Sequence, residues 1–273
     1  MTDMVAFGEV LWDVIEGVPH IGGAPFNFAA HVVKCGLSAS IVSAVGKDDL
    51  GHRARAAVRK LGVDDAMLGT HPTLPTGTVN VTLTNGIPSY EIVKPVAWDE
   101  IRADVALLPS PRAFYFGSLA QRSPVSSKTL ARLLDAFAAS LVFFDVNLRQ
   151  NFWSKQLIGD CLGRTDILKV NDEERETLGF TAEQLFASYP RLKTVIETRG
   201  AEGCAVWSRD GESFTSPALP DGPVVDTVGA GDSFSAAFLA AVLNGASLKE
   251  AARAGNRRAG QVAARAGAIP EDI

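Results

Sequence analysis

Short apolar runs alternate with amphipathic stretches along most of the chain. Val5-Ala6-Phe7 and the segments 40–45, 113–116, 141–145, 167–170 and 194–197 read as short buried strands. Between them, 24–36 reads as a helix stopped by Gly36. Segment 49–61 reads as a helix capped by Asp48 or Asp49 and ended by Gly62, and 126–138 as a third. The stretch 248–266, rich in Ala and Arg, is also helical in pattern; its arginines form a solvated face and Asn256 is an unusual interior residue. Strands alternating with helices predict an α/β protein whose parallel sheet is covered on both faces.

One segment breaks that rhythm. Residues 78–93, TVNVTLTNGIPSYEIV, alternate with period two around Asn85-Gly86, a strong two-residue hairpin signal. Val79, Val81 and Leu83 share one face, opposed by Tyr90 and Ile92. A lone hairpin is marginal by itself, so it rests on the main body, a partner chain or a ligand, or is an ordinary surface hairpin. The stretch around Trp12 to Ile21 offers further strands for the same small sheet.

Composition narrows the class. At 273 residues the chain is long enough for one large domain or two small ones, and its 47% hydrophobic and 21% charged residues exclude wholesale disorder. A net charge of −5 argues against a nucleic-acid binder, although local loops can still hold small anions. Cys35, Cys161 and Cys204 form no CxxC pair and read as reduced core thiols of a cytoplasmic protein. No signal peptide and no membrane-spanning apolar run is expected, so the Asn80-Val81-Thr82 sequon carries no consequence.

Candidate chemistry concentrates in two glycine-bearing segments. In Asp226-Thr227-Val228-Gly229-Ala230-Gly231-Asp232-Ser233-Phe234 a glycine turn opens directly into a long apolar helix. The free N–H groups of such a first turn and the helix dipole make an anion site. Asp232 beside the anion could accept the proton of an attacking hydroxyl, the division of labour that phosphoryl transfer needs; alternatively it merely caps a buried helix. In Ile21-Gly22-Gly23-Ala24-Pro25-Phe26-Asn27, paired glycines suit a hinge, and Asn27 offers a donor and an acceptor to sugar hydroxyls or to its local backbone. Gly46-Lys47 lacks the rest of a P-loop, no GxGxxG follows a strand, and no HExxH occurs.

Together, GGAPFNFA and DTVGAGDSF resemble the two signature regions of the ribokinase-like, PfkB-type carbohydrate kinases. GEVLWD (8–13), PTGTVNVTL (75–83), VAWDEI (96–101), FGSLAQR (116–122), DVNLRQNFW (145–153), KVNDEE (169–174) and TRGAEG (198–203) extend the likeness in order along the chain, toward its bacterial fructokinase branch. The resemblance implies a Rossmann-like three-layer α/β/α domain over 1–273, with a β-sheet lid from about 12–22 and 73–95. It implies an ATP-dependent kinase acting on a primary hydroxyl of a free sugar, D-fructose first. 2-Keto-3-deoxygluconate or nucleoside kinases are the alternatives within the family, and a catalytically inactive sugar-binding regulator is the alternative outside it. Asp232 matches the catalytic base, and Gly229, Ala230 and Gly231 the anion hole. Asp13, Gly23 and Asn27 match sugar contacts, with Tyr90, Asn147 and Arg149 on the substrate side. Asn171 and Glu174 match the residues that organise Mg2+, the latter through water, and phosphate. Thr198, Gly200, Gly203 and Asn256 match the nucleotide edge, while Arg199 either helps neutralise ATP or faces solvent. Asp226 and Val228 match a loop that holds K+ in some members. The lid hairpin's open edge and apolar face suit a homodimer.

Overall fold

The computed structural model describes residues 2–84, 87–107 and 110–273. The expected turn at Asn85-Gly86, and the facing of the Val81 and Leu83 side chains, lie outside what it describes. The chain enters through β1 (Met4–Phe7), β2 (Leu11–Ile15), β3 (Val18–Gly22), α1 (Ala24–Lys34), β4 (Ala39–Gly46), α2 (Asp49–Lys60) and β5 (Leu68–His71). The hairpin strands β6 (Gly77–Thr84) and β7 (Ile87–Ile92) come next. There follow β8 (Ala113–Gly117), α3 (Pro124–Ala136), β9 (Leu141–Asp145), α4 (Lys155–Leu162), β10 (Ile167–Asn171), α5 (Asp172–Leu178) and α6 (Ala182–Ser188). The chain closes with β11 (Thr194–Thr198), β12 (Cys204–Ser208), β13 (Ser213–Ser216), α7 (Ala230–Leu243) and α8 (Leu248–Ala263).

Among the described residues, nine strands form the main sheet in the order β13-β12-β11-β10-β9-β8-β1-β4-β5. From β5 through β11 all neighbours run parallel. The far edge departs from the expected all-parallel sheet: β12 and β13 run antiparallel. The cause is the short turn between β11 and β12, which leaves no room for the crossover that a parallel neighbour requires.

Strand alternation divides the core in two. Phe114, Phe116, Val142 and Phe144 face one layer, with Leu130 and Leu133 of α3 and Ile158 of α4. Tyr115 and Phe143, between them in the same strands, face the other, with Phe28 of α1, Phe234 and Phe238 of α7, and Ala251 of α8. The helices form where local chemistry permits. Asp48 caps α2 by accepting from Gly51 N at 2.7 Å, and Ser247 with Glu250 forms a capping box at the start of α8. Ser123 and Pro124 start α3 two residues earlier than the periodicity indicates, proline being well placed in a first turn.

The second sheet has the order β3-β2-β6-β7. Val79 and Ile92 pair across β6 and β7 and face the core at 7% and 8% exposure, whereas Ile15, Val18 and Tyr90 lie exposed. Its base is clamped. Arg122 donates to both oxygens of Asp99 at 2.7 and 2.9 Å and to Val93 O at 2.8 Å, and lies over the Trp98 ring at 3.8 Å.

Candidate active site at the head of α7

Gly229 precedes α7 with φ 75°, and a Cβ there would stand 2.7 Å from Ala268, so only glycine fits the turn. No side chain caps α7. The expected anion hole is narrower than the sequence suggests, because Ala230 N–H turns back to the Thr227 carbonyl at 3.2 Å; Gly231 N–H, with no side chain over it, is left to an anion, and the helix dipole adds to the attraction. Asp232 projects from that turn. Burial raises its carboxyl to about 6; Asp145 adds to the rise, and Asn27, Lys169 and Arg149 oppose it.

The two glycine-bearing segments meet here. Asn27, buried in the first turns of α1, donates from Nδ2 to Asp232 Oδ2 at 2.8 Å across 205 residues of sequence. Its Oδ1 is buried without a protein partner, a waiting acceptor for a hydroxyl. Gly23, at φ 108°, has no space for a Cβ because the Glu9 carbonyl fills it. Asp13 lies on β2 opposite His20, with its carboxylate against Gly22. Burial raises the Asp13 pKa, and His20 and Arg149 oppose the rise. Glu9 was not singled out in sequence. It is buried, and desolvation holds its carboxyl up at about 7; Arg149 lowers it and the nearby Asp232 charge raises it. The Arg149 charge thus bears on all three carboxyl groups. The backbone turns sharply beside it, with Asn147 at φ 46° and Gln150 at φ 48°. Gln150 donates to the Tyr90 carbonyl at 2.8 Å, which ties this loop to the small sheet. The Tyr90 side chain itself is 58% exposed.

Asn171 and Glu174 are first of all a capping box on α5. Glu174 accepts from Asn171 N at 2.9 Å and from Leu148 N at 2.8 Å, which fixes the Arg149 loop to β10. Neither bond uses all the lone pairs of its oxygen, so water remains a possible further partner. Among the described residues no group of three or more His, Cys, Asp or Glu side chains is arranged to hold a metal. Each Glu174 oxygen keeps a lone pair beyond its backbone bond, a donor of the kind that Mg2+ takes directly or through water. Asp226 accepts from Val228 N and Gly267 N, both at 3.0 Å, and clasps its loop to the chain beyond α8.

At the edge expected to meet the nucleotide, Thr198 ends β11 and bonds the Val170 carbonyl at 3.4 Å. Gly200 and Gly203 adopt φ 50° and 92° in the turn that follows. Arg199 turns to Glu197 at 2.8 Å and lines a cavity of about 200 Å3 with Arg175, Phe180 and Trp207. Asn256 is 5% exposed. Its amide donates to Ser216 O, Ser216 Oγ and Pro217 O at 2.9, 3.0 and 3.1 Å, holding the end of β13 to α8.

Two more residues escaped the sequence reading. Asp145 and Lys169 form a buried ion pair at 3.0 Å, from adjacent strands whose register sets the two residues side by side. A lysine inside the apolar run ILKV and an aspartate ending LVFFD were the available signals.

A model of the pfkB family carbohydrate kinases matches residues 2–272. Over 278 residues the chain is 30% identical to "Probable fructokinase-3" of Arabidopsis thaliana, covering 90% of this chain and 79% of that one. Its structure is similar to that of an uncharacterized sugar kinase of Pyrococcus horikoshii solved with ATP, with a TM-score of 0.86 and 25% identity over 97% of this chain and 94% of that one. A fructokinase of Xylella fastidiosa with bound ATP superposes at a TM-score of 0.88 with 20% identity, over 98% and 94% of the two chains, a likeness of fold.

Proposed function

The chain belongs to the pfkB family of carbohydrate kinases and is an ATP-dependent sugar kinase; within that activity, we propose that its acceptor is the primary hydroxyl of a free ketohexose, D-fructose. The observation that carries the reading is the 2.8 Å bond from Asn27 to Asp232 beside an uncapped helix N-terminus. A polar sugar pocket, a base and an anion cradle converge at that point.

In this reading Asp13 and Asn27 hold the sugar so that its hydroxyl faces Asp232. Asp232 takes the hydroxyl proton as the oxygen bonds the γ-phosphorus; the bond from phosphorus to the ADP oxygen breaks, and its electron pair leaves with ADP. The N–H groups around Gly231 hold the transferring phosphoryl. Mg2+ bound on the phosphates would neutralise part of their charge, with Glu174 orienting its water. The small sheet acts as a lid over 12–22 and 73–95 that excludes water. Burial of Arg122 against Asp99 leaves Arg149 as the cation beside the sugar, which supports an acceptor without a phosphate. The same Arg149 gives 2-keto-3-deoxygluconate a carboxylate partner, the second reading.

The three cysteines are free, and burial raises Cys161 and Cys204 to about 12 and 11. Such inert thiols support a reducing, cytoplasmic setting. Among the described residues no helix is long and apolar enough to cross a membrane. Exposed Val18, Ile15 and Tyr90 on the lid support its use as a homodimer face. K+ at the Asp226–Val228 loop is tested by rates in K+ against Na+ buffers.

The deciding experiment is ADP release over fructose, mannose, glucose, ribose, 2-keto-3-deoxygluconate and adenosine. Fructose is expected to give the highest kcat/KM; a preference for the sugar acid or adenosine overturns the substrate assignment. ADP release from none, with fructose still raising the melting temperature, identifies a sugar-binding regulator instead.

A further inference from the structure

Asp145 and Lys169 lie below α7, against the sheet, at 1% and 7% exposure. Desolvating two charges is costly, and well-packed apolar residues commonly replace such a pair without loss of stability. Stability alone therefore gives no reason for this one. Its surroundings do. Each oxygen of Asp145 lies 3.0 Å from Lys169 Nζ. Tyr115 from β8 and Ser235 from α7 each place a hydroxyl 3.1 Å from Oδ2. The Tyr115 ring is stacked on Phe28 with centroids 3.8 Å apart, and Phe28 is the neighbour of Asn27, which holds Asp232. On the other side, a Cβ on Gly231 would stand 3.1 Å from Lys169 Nζ. The ammonium packs directly under the anion cradle, and a side chain at 231 would crowd it.

We propose that Asp145 and Lys169 act together as positioning residues for phosphoryl transfer: the pinned ammonium supports the first turn of α7 and balances the charge around Asp232, while touching neither sugar nor nucleotide. The proposal rests on the reading of Asp232 as proton acceptor. The two charges act on Asp232 in opposite senses, Asp145 favouring its neutral form and Lys169 its ionised form. The other groups that bear on Asp232 are Glu9, Arg149, Asn27 and Tyr115, the last held neutral by burial.

The test is ADP release between pH 5 and 9, with ATP and the best sugar of the panel. The proteins compared are wild type, Asp145→Asn, Lys169→Met, the double variant and Asp232→Asn. Asp145→Asn is expected to move the acid limb of kcat to lower pH and Lys169→Met to higher pH, each by roughly one unit. KM values for sugar and ATP should stay within about threefold, since uniform binding is untouched. Damage to the fold alone would not move the limbs in opposite directions. Limbs that move together or not at all overturn the proposal. So does a large rise in the KM for ATP in Lys169→Met alone, which makes Lys169 a direct nucleotide contact. If a single variant fails to fold by circular dichroism, the uncharged double variant decides. A kcat about tenfold or more below wild type at unchanged KM supports the role, and wild-type kcat overturns it. An active Asp232→Asn enzyme overturns the assignment of Asp232 and this inference together; an inactive one beside unmoved limbs overturns the inference alone.

Discussion

Asp232 concentrates the chemistry at the scale of single residues. Its replacement by Asn keeps shape and the Asn27 neighbour but removes the group that the proposed mechanism uses as proton acceptor. Asp232→Asn should lower kcat by about 10² or more, while the best sugar of the panel still raises the melting temperature. Because its carboxyl sits at about 6, kcat should fall as pH drops through that value and the base becomes protonated. A pH profile at saturating substrates checks this. His31 makes an opposite kind of statement. Burial pulls it down from 6.5 to about 4, so the unfolded chain binds its proton more readily. Its contribution to stability is full above pH 6.5 and is lost as pH falls toward 4. Urea midpoints at pH 7 and 5 should show the loss, and His31→Gln should weaken the dependence. Asp232 and Asn27 were legible in sequence because each belongs to a segment whose glycines dictate backbone geometry. Glu9, Asp145 and Lys169 were not, because their meaning depends on which strands and loops become neighbours. The resemblance placed Asn256 at the nucleotide edge, but a sequence cannot show that the Asn256 amide is occupied by Ser216 and Pro217.

Period and punctuation served well at the scale of elements, and did so selectively. Long, strongly patterned segments such as α2 and the β6–β7 hairpin announced themselves. Short α5, with its acidic sequence DEERETL, has too little apolar pattern to read, and forms on its capping box and a terminal Gly179 at φ 68°. The antiparallel edge β12–β13 was missed because strand direction follows from connection length, which periodicity does not carry. The clamp at the base of the small sheet shows the same dependence on tertiary context. Nothing in the FGSLAQR run shows what Arg122 meets, yet its side chain is 4% exposed against Asp99. Asp99→Ala should strand that guanidinium and cost about 3–5 kcal/mol in chemical denaturation, with Val93 and the strand above it losing their anchor.

For the whole molecule, the arithmetic of length left one or two domains open. The described residues form a nine-stranded sheet with helices on both faces and a second, four-stranded sheet whose strands come between β1 and β8 in the chain. That small sheet buries Val79 and Ile92 against the main core. Saturating both substrates at about 100 times their Kd should stabilise the enzyme by about 2.7 kcal/mol for each independently bound ligand, read as a rise in melting temperature that exceeds either ligand alone. The net charge of −5 leaves the attraction of ATP to local features, the head of α7 and nearby cations, so activity should decline only modestly with ionic strength.

The bond from Asn27 to Asp232 spans 205 residues, and that span acquires a second meaning during synthesis. Asn27 leaves the ribosome long before Asp232 and the head of α7 exist. A chain that stops before α7 lacks Asp232 and, with it, the bond that joins the two glycine-bearing segments. The pocket proposed above is therefore assembled only once α7 has been made and has packed against α1.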